Sequence, residues 1–290
     1  MVIFRVDFGD NIGFGHLKRS LVYAKQFKKV IYVSKIEETQ FNNNKHLIPY
    51  RLEIIKNEEQ FFQIVKLLKP KQVIVDNYNF TPFYQQKFKK LFPTIKLSCF
   101  DDEYKNYYCD EIINHNLGVK KWKYKNPEIV SIIPPLIRDE FKNLKKYKGN
   151  RNGIFISIGG TDAKNISLKI IKLCKNYKIN LFTTTSNKNL KKLKKVSKIY
   201  KNIKLFINKD VSLGMVNSEW GIITPSVISY EALYMKLPFI AIEVADNQKE
   251  VASYLRKKRI KVLKIRELYK LSCKGRVKRV DWRFKNWNRI

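Results

Sequence analysis

The sequence predicts an α/β protein of two doubly wound lobes, and three observations carry that prediction. Short apolar runs of strand length alternate with stretches of helical period from Val2 to Val244. A glycine-bearing turn joins strand to helix twice, in GDNIGFGH (residues 9–16) and in GGTD (residues 159–162). Between these halves, FKNLKKYKGNRN (residues 141–152) is basic and poor in core residues, as a lobe boundary is. The expected division is a first lobe over 1–141, a linker over 142–152, a second lobe over 153–265 and a basic, Trp-bearing extension over 266–290.

In the first lobe, Val2, Ile3, Phe4, Val6 and Phe8 form a buried strand, and Gly9, Gly13 and Gly15 permit the tight reversal after it. Leu17, Leu21 and Ala24 then recur at helical spacing, so His16 falls in a helix's first turn at the carboxyl edge of a parallel sheet. Open α/β folds place ligands at that edge. The positive end of the helix dipole disfavours an imidazolium there, which suits a proton acceptor, and either Asp7 or Asp10 is near enough in sequence to fix the ring's tautomer.

Further strands are expected at Val30–Ser34, Val73–Asp76, Ile95–Phe100, Ile112–Ile113 and Ile129–Ile133, six in all with the first. The polar residues 37–45 read as a loop, and Phe61, Phe62, Val65 and Leu68 form a helical stripe that Pro70 ends. Asp76 and Tyr78 lie at a strand's carboxyl end, while Asp101, Asp102 and Glu103 read as hydrogen-bonding partners or, as the simpler reading, solvated loop charges.

The second lobe opens with the strand Ile154–Ile158, and Gly159-Gly160-Thr161-Asp162 turns directly into a helix over Ile166–Cys174. Two glycines let backbone N–H groups approach an anion, Thr161 adds a hydroxyl and the helix start a favourable potential. Strands follow at 179–184, 204–207, 220–224 and 239–244. Pro225-Ser226 opens a helix in which Glu231 stands among apolar neighbours and needs a partner, and Asp246-Asn247-Gln248 starts the next.

The chain has 290 residues, 44% of them hydrophobic, which excludes disorder and allows two cores. Lys and Arg number 59 against 25 acidic residues, a net charge of +34 that attracts phosphate-bearing partners. Lysines scattered among asparagines do not concentrate Arg and aromatics on one element, so no nucleic-acid partner is expected. Cys99, Cys109, Cys174 and Cys273 show no CxxC pairing, and with three histidines they make no zinc template, so no metal and reduced cysteines are expected. No secretory leader is expected from a start that enters a strand broken by Arg5 and Asp7, and no apolar run approaches ~20 residues. A cytoplasmic protein without membrane insertion follows, though the 266–290 extension could touch an anionic surface weakly.

The phrases FRVD, IGFGHLKR, VDNY, SCFDDE, LIRDEF, SIGGTD, SYEAL and the NQ of DNQKEVASYL span residues 4–255. In this order they resemble the PseG family, UDP-sugar hydrolases of pseudaminic acid biosynthesis related to the MurG-type GT-B enzymes. The resemblance implies two Rossmann-like lobes of GT-B type with an interlobe cleft, no cofactor, and a UDP-diacetamido-trideoxy sugar hydrolysed with inversion at C1. It also implies roles for residues. His16 would be the base that deprotonates the attacking water, with Tyr78 by the sugar and Gly15 a further substrate-binding residue. Gly160 and Thr161 would hold the pyrophosphate, and Ser226 would be another substrate-binding residue. Glu231 would take the ribose hydroxyls, and Asn247 with Gln248 would contact the sugar-phosphate region. This chain carries Asn77 and Asn79 around the tyrosine where the family shows His and Gly, and Pro134-Pro135 where it shows Tyr-Ala. The alternative reading is a GT-B glycosyltransferase with a UDP-sugar donor.

Overall fold

The computed structural model describes residues 1–9, 12–37, 40–42, 45–144 and 150–271. They divide into two compact units, Met1–Leu136 and a second that begins at Ile137. In the first, strands β1 (Val2–Val6), β2 (Val30–Ser34), β3 (Arg51–Ile54), β4 (Gln72–Asp76), β5 (Lys96–Phe100), β6 (Glu111–Asn114) and β7 (Val130–Ile132) form one parallel sheet. Its order is β3-β2-β1-β4-β5-β6-β7, with helices α1 (Gly15–Ala24), α2 (Glu58–Leu68) and α3 (Pro82–Leu91) in the crossovers. The order reverses between β1 and β4, and Val6 pairs with Asp76 there, so the loops leaving these two strands open a crevice.

The alternation of β1 explains the two layers. Val2, Phe4 and Val6 pack with Leu17 and Val22 of α1, whereas Ile3 packs with Phe61, Phe62 and Val65 of α2 and Phe88 of α3. Each such side chain buried contributes roughly 1.5–3 kcal/mol. Arg5 points to the same face as Ile3 and is fully buried, which is tolerable because its guanidinium is shared between Asp7 and Glu58. Asn57 starts α2 by accepting a hydrogen bond from Gln60 N at 3.0 Å, and left-handed Lys69 before Pro70 stops it.

The second unit contains α4 (Asp139–Leu144), β8 (Ile154–Ser157), α5 (Ile166–Leu173), β9 (Ile179–Thr183), α6 (Leu190–Ile199) and β10 (Ile203–Ile207), then α7 (Val211–Val216), β11 (Trp220–Ile223), α8 (Val227–Tyr234), β12 (Phe239–Glu243), α9 (Lys249–Lys257) and β13 (Val262–Lys264). Its parallel sheet runs β10-β9-β8-β11-β12-β13, and the reversal falls between β8 and β11. Ile154, Ile156 and Ile158 pack against Ile166, Ile170 and Ile171 of α5 on one face.

Several expectations change. The first sheet has a strand beyond the six expected: β3 is a polar edge strand whose RLEI residues carry no continuous buried pattern. The helix α4 belongs with the second unit, because Phe141 is buried and α4 packs on α7. Cys99 and Cys109 are free thiols, but Cys174 is disulfide-bonded, contrary to the expectation of reduced cysteines. The extension begins with a helical turn over Ile265–Lys270 that buries Leu268 in the second core, while Trp282 and Trp287 lie outside the described residues. Among the described residues, no helix is long and apolar enough to cross a membrane.

Candidate active site

Gly13 (φ +86°) turns the chain out of β1 into α1, and its amide donates to Gly9 O at 2.6 Å, closing the loop just before His16. His16 stands in the first turn of α1 with its side chain 15% exposed, so the ring is neither buried in packing nor adrift in solvent. Its Nδ1 lies 2.5 Å from Oδ1 of Asp76, the last residue of β4 and 1% exposed. A carboxylate only accepts, so Nδ1 carries the proton and Nε2 is left as the ring's acceptor. The tautomer that a base needs is thus imposed by Asp76 across the switch point.

Asp7, one of the two residues expected in that role, does not hold it. Asp7 spends its carboxylate on Arg5, on Lys35 N at 2.7 Å and on Asn77 Nδ2 at 2.7 Å, and Asp10 lies outside the described residues. Asp7 follows β1 directly and faces β2 and β4 rather than the first turn of α1.

Arg19, one turn after His16 on the same helix face, completes the cluster. Its Nε and Nη2 donate to Asp76 Oδ2 and Oδ1 at 2.6 and 2.5 Å, and its Nη1 donates to both oxygens of Asp102 at 2.8 and 2.7 Å. Burial alone would raise the Asp76 carboxyl, but Arg19 and His16 hold it below the ordinary value. Asp102 behaves likewise: burial opposes its ionisation, and Arg19 with the Asn116 hydrogen bond at 2.6 Å overcomes it. Tyr78, 41% exposed, donates its hydroxyl to Asp102 Oδ2 at 2.9 Å and meets the His16 ring edge-on at 4.7 Å.

Of the two readings of these carboxylates, Asp101 and Asp102 follow that of hydrogen-bonding partners and not the simpler one of solvated loop charges. Asp101 is buried, accepting from Tyr107 and Tyr124 hydroxyls and from Glu103 N and Tyr104 N, and so shapes the loop that presents Asp102. The sequence signal was there: acidic residues at the carboxyl ends of both β4 and β5, and an arginine three after the histidine.

In the second unit, Gly159 (φ +81°) begins the turn after β8, and Thr161 is exposed. Asp162 changes the expected chemistry, because its carboxylate already accepts from Ile166 N at 2.8 Å and Ser167 N at 2.9 Å at the start of α5. An anion held here would meet the Gly159-Gly160 turn and the Thr161 hydroxyl, not those helix amides. Ser226 precedes α8, with its Oγ 2.9 Å from Thr224 Oγ1. Lys164 Nζ donates to Val244 O at 2.6 Å and ties the loop after β8 to the end of β12. Because β8, β11 and β12 are neighbours, Gly160, Thr161, Ser226, Asn247 and Gln248 share one edge of this sheet. Asn247 is exposed, and Gln248 turns its carbonyl inward to accept from Val244 N at 2.9 Å.

Glu231 differs from its neighbours on this list. It is 1% exposed, and Arg138 grips both its oxygens, Nε to Oε1 at 2.6 Å and Nη2 to Oε2 at 2.9 Å. The partner that this carboxylate needs is thus an arginine from the LIRDEF stretch. Gly15 is exposed, and a Cβ there would meet nothing within 4 Å. Among the described residues, no three His, Cys, Asp or Glu side chains are grouped to hold a metal ion.

Two Rossmann-like parallel-sheet units, each with its candidate residues at the carboxyl edge, define an α/β protein of GT-B type. Solved structures agree: the spinosyn rhamnosyltransferase SpnG complexed with thymidine diphosphate matches at a TM-score of 0.65 and 8% identity, over 91% of this chain and 86% of that one. MurG of Acinetobacter baumannii matches at 0.59 and 10% identity, over 93% and 87%. Such identities speak for fold alone. No family model matches the sequence. The UDP-2,4-diacetamido-2,4,6-trideoxy-β-L-altropyranose hydrolase of Campylobacter jejuni, however, is 35% identical over 274 residues, which cover 89% of this chain and 96% of that one. The chain belongs to that hydrolase family.

Proposed function

We propose that the protein hydrolyses UDP-2,4-diacetamido-2,4,6-trideoxy-β-L-altropyranose to the free sugar and UDP, as a cytoplasmic step of pseudaminic acid biosynthesis. The observation that carries this reading is the His16–Asp76 pair at 2.5 Å, at the switch point of a chain that belongs to this hydrolase family. In the reaction, a water oxygen attacks C1 while His16 Nε2 takes its proton. The bond from C1 to the phosphate oxygen breaks, its electron pair leaves with UDP, and configuration at C1 inverts. Asp76 keeps the ring in the required tautomer and stabilises the imidazolium as it forms.

Tyr78 and Gly15 flank the sugar in this reading. The Gly160 backbone and the Thr161 hydroxyl meet the pyrophosphate, with Ser226, Asn247 and Gln248 beside it, and Glu231 takes the ribose hydroxyls by exchanging Arg138 for the diol. The charge that develops on UDP is met by such donors, so no step is routed through a metal or cofactor and turnover is expected to survive a chelator.

A panel of UDP-sugars incubated with purified wild type and with His16→Ala tests the reading by UDP release. Activity retained by the variant removes the proposed base. The likeness of fold to transferases supports a second reading, in which the same base activates an acceptor hydroxyl. Trapping the product separates them, since free sugar supports hydrolysis and a glycoside formed only with added acceptor supports transfer.

A further inference from the structure

A helix that carried only a catalytic base would not need a buried arginine one turn later. Arg19 is 6% exposed, its guanidinium lies 5.2 Å from the Phe100 ring centroid, and four of its hydrogen bonds end on two carboxylates from two different strand ends. One carboxylate is Asp76, which fixes His16. The other is Asp102, which receives the Tyr78 hydroxyl at 2.9 Å.

We propose that Arg19 is a positioning residue that locks the His16 base and the Tyr78 hydroxyl into one rigid unit, with Asp76 and Asp102 as its two arms. This inference rests on the hydrolase reading above. The planar fork of an arginine is what spans both carboxylates at once, whereas a lysine offers a single point of charge. The arrangement has a chemical consequence for specificity. Asp102 accepts the hydrogen bond that the Tyr78 hydroxyl donates, so Tyr78 meets a ligand through its oxygen lone pairs and suits a donor such as an amide N–H or a sugar hydroxyl. Arg19 also shares Asp76 with the imidazole: its Nη2 lies 3.2 Å from His16 Nδ1, so the cation restrains how much of the Asp76 charge reaches the ring.

Four variants test the lock: Arg19→Lys, Asp102→Asn, Tyr78→Phe and the double Asp102→Asn/Tyr78→Phe. Tyr78→Phe removes the Tyr78–Asp102 link alone and is expected to lower kcat/KM for UDP release about tenfold, whereas Asp102→Asn also weakens the Arg19 pair and is expected to cost more, with the double variant losing no more than Asp102→Asn. Losses that multiply in the double variant overturn the proposal. Arg19→Lys keeps the charge but spans one carboxylate, so the acid limb of kcat/KM against pH is expected to move. The charged and titratable groups around the ring are Asp76, Arg19 and Tyr78, with Asp102, His115 and Lys105 behind them. The His16 ring titration, followed by NMR, gives a readout independent of turnover. If wild type releases no UDP from any UDP-sugar, the hydrolase reading fails, and a titration displaced in Arg19→Lys still supports the lock. A titration unchanged in both Arg19→Lys and Asp102→Asn overturns the lock whatever the activity. Tyr78 is 41% exposed, so its variant folds even where Arg19→Lys does not.

Discussion

Replacing Asp76 by Asn isolates the contribution of the carboxylate to the base. Three N–H groups converge on the Asp76 carboxylate: His16 Nδ1 and Arg19 Nη2 on Oδ1, each at 2.5 Å, and Arg19 Nε on Oδ2 at 2.6 Å. An amide of the same shape offers one oxygen. If that oxygen stays at Oδ1, the amide NH2 faces Arg19 Nε donor to donor. If it turns to Oδ2, the NH2 donates to His16 Nδ1 and moves the ring proton to Nε2, which abolishes the base. Loss of one charge-assisted hydrogen bond costs about 1.5–3 kcal/mol, a factor of roughly 10–150 in rate. The tautomer change adds to it, as in acyl-transfer triads where such a replacement costs about 10⁴. The expected outcome is a fall in kcat of about 10²–10⁴, with KM for the UDP-sugar changed by less than threefold. Initial rates of UDP release across pH 6–9, with circular dichroism to verify folding, measure it. A folded Asp76→Asn protein that keeps a third or more of wild-type kcat refutes the assigned role of Asp76.

Other outcomes follow from the same geometry. Glu231→Gln removes one of the two carboxylates that Arg138 holds, leaving Glu140 as its counter-charge, and is expected to cost about 1–3 kcal/mol, seen as a lower urea midpoint. If UDP binding by calorimetry weakens with no loss of stability, Glu231 is a ribose ligand rather than a strut. Burial and the nearby Arg19 press the His115 imidazole down to about 4 from an ordinary 6.5. The unfolded chain then binds a proton that the folded one refuses, so stability falls with pH through that window, by about 2 kcal/mol between pH 7.5 and 5. Denaturant titrations of wild type and His115→Asn should differ in that slope. Asp76 and Asp102, both depressed in the fold, stabilise it above the ordinary carboxylate range and lose that contribution as pH falls through their folded values. Asp162→Ala removes the acceptor of two α5 amides and is expected to cost about 1–2 kcal/mol in thermal unfolding.

The buried parallel strands were legible because continuous apolar runs such as Val30–Ser34 and Ile154–Ile158 have no other use in a chain of this polarity. His16 was legible for a related reason: a glycine-rich reversal into a helix fixes which residue occupies the first turn. What it touches was not legible, because Asp76 and Asp102 arrive from 60 and 83–86 residues away and only sheet order brings them together. Nearness in sequence pointed to Asp7 or Asp10, yet at an extended strand end successive side chains turn toward different neighbours, and Asp7 meets Arg5, Lys35 and Asn77 instead. The edge strand β3 escaped because it is only partly covered and so lacks an apolar signature. Asp162 read as part of a phosphate turn, although an acid just before a helix caps its own amides as readily as it neighbours a ligand.

One feature of the charges governs how this sequence can drift. Arg5, Arg19 and Arg138 each bridge two acidic side chains, Arg138 reaching Glu140 as well as Glu231, and no lysine is buried among the described residues. Lysine has been accepted almost everywhere on the outside, where a cation need only be wet. At these three positions a lysine spans only one of the two carboxylates, so a saturation library is expected to tolerate the exchange at Arg51 or Arg256 and to deplete it at Arg5, Arg19 and Arg138.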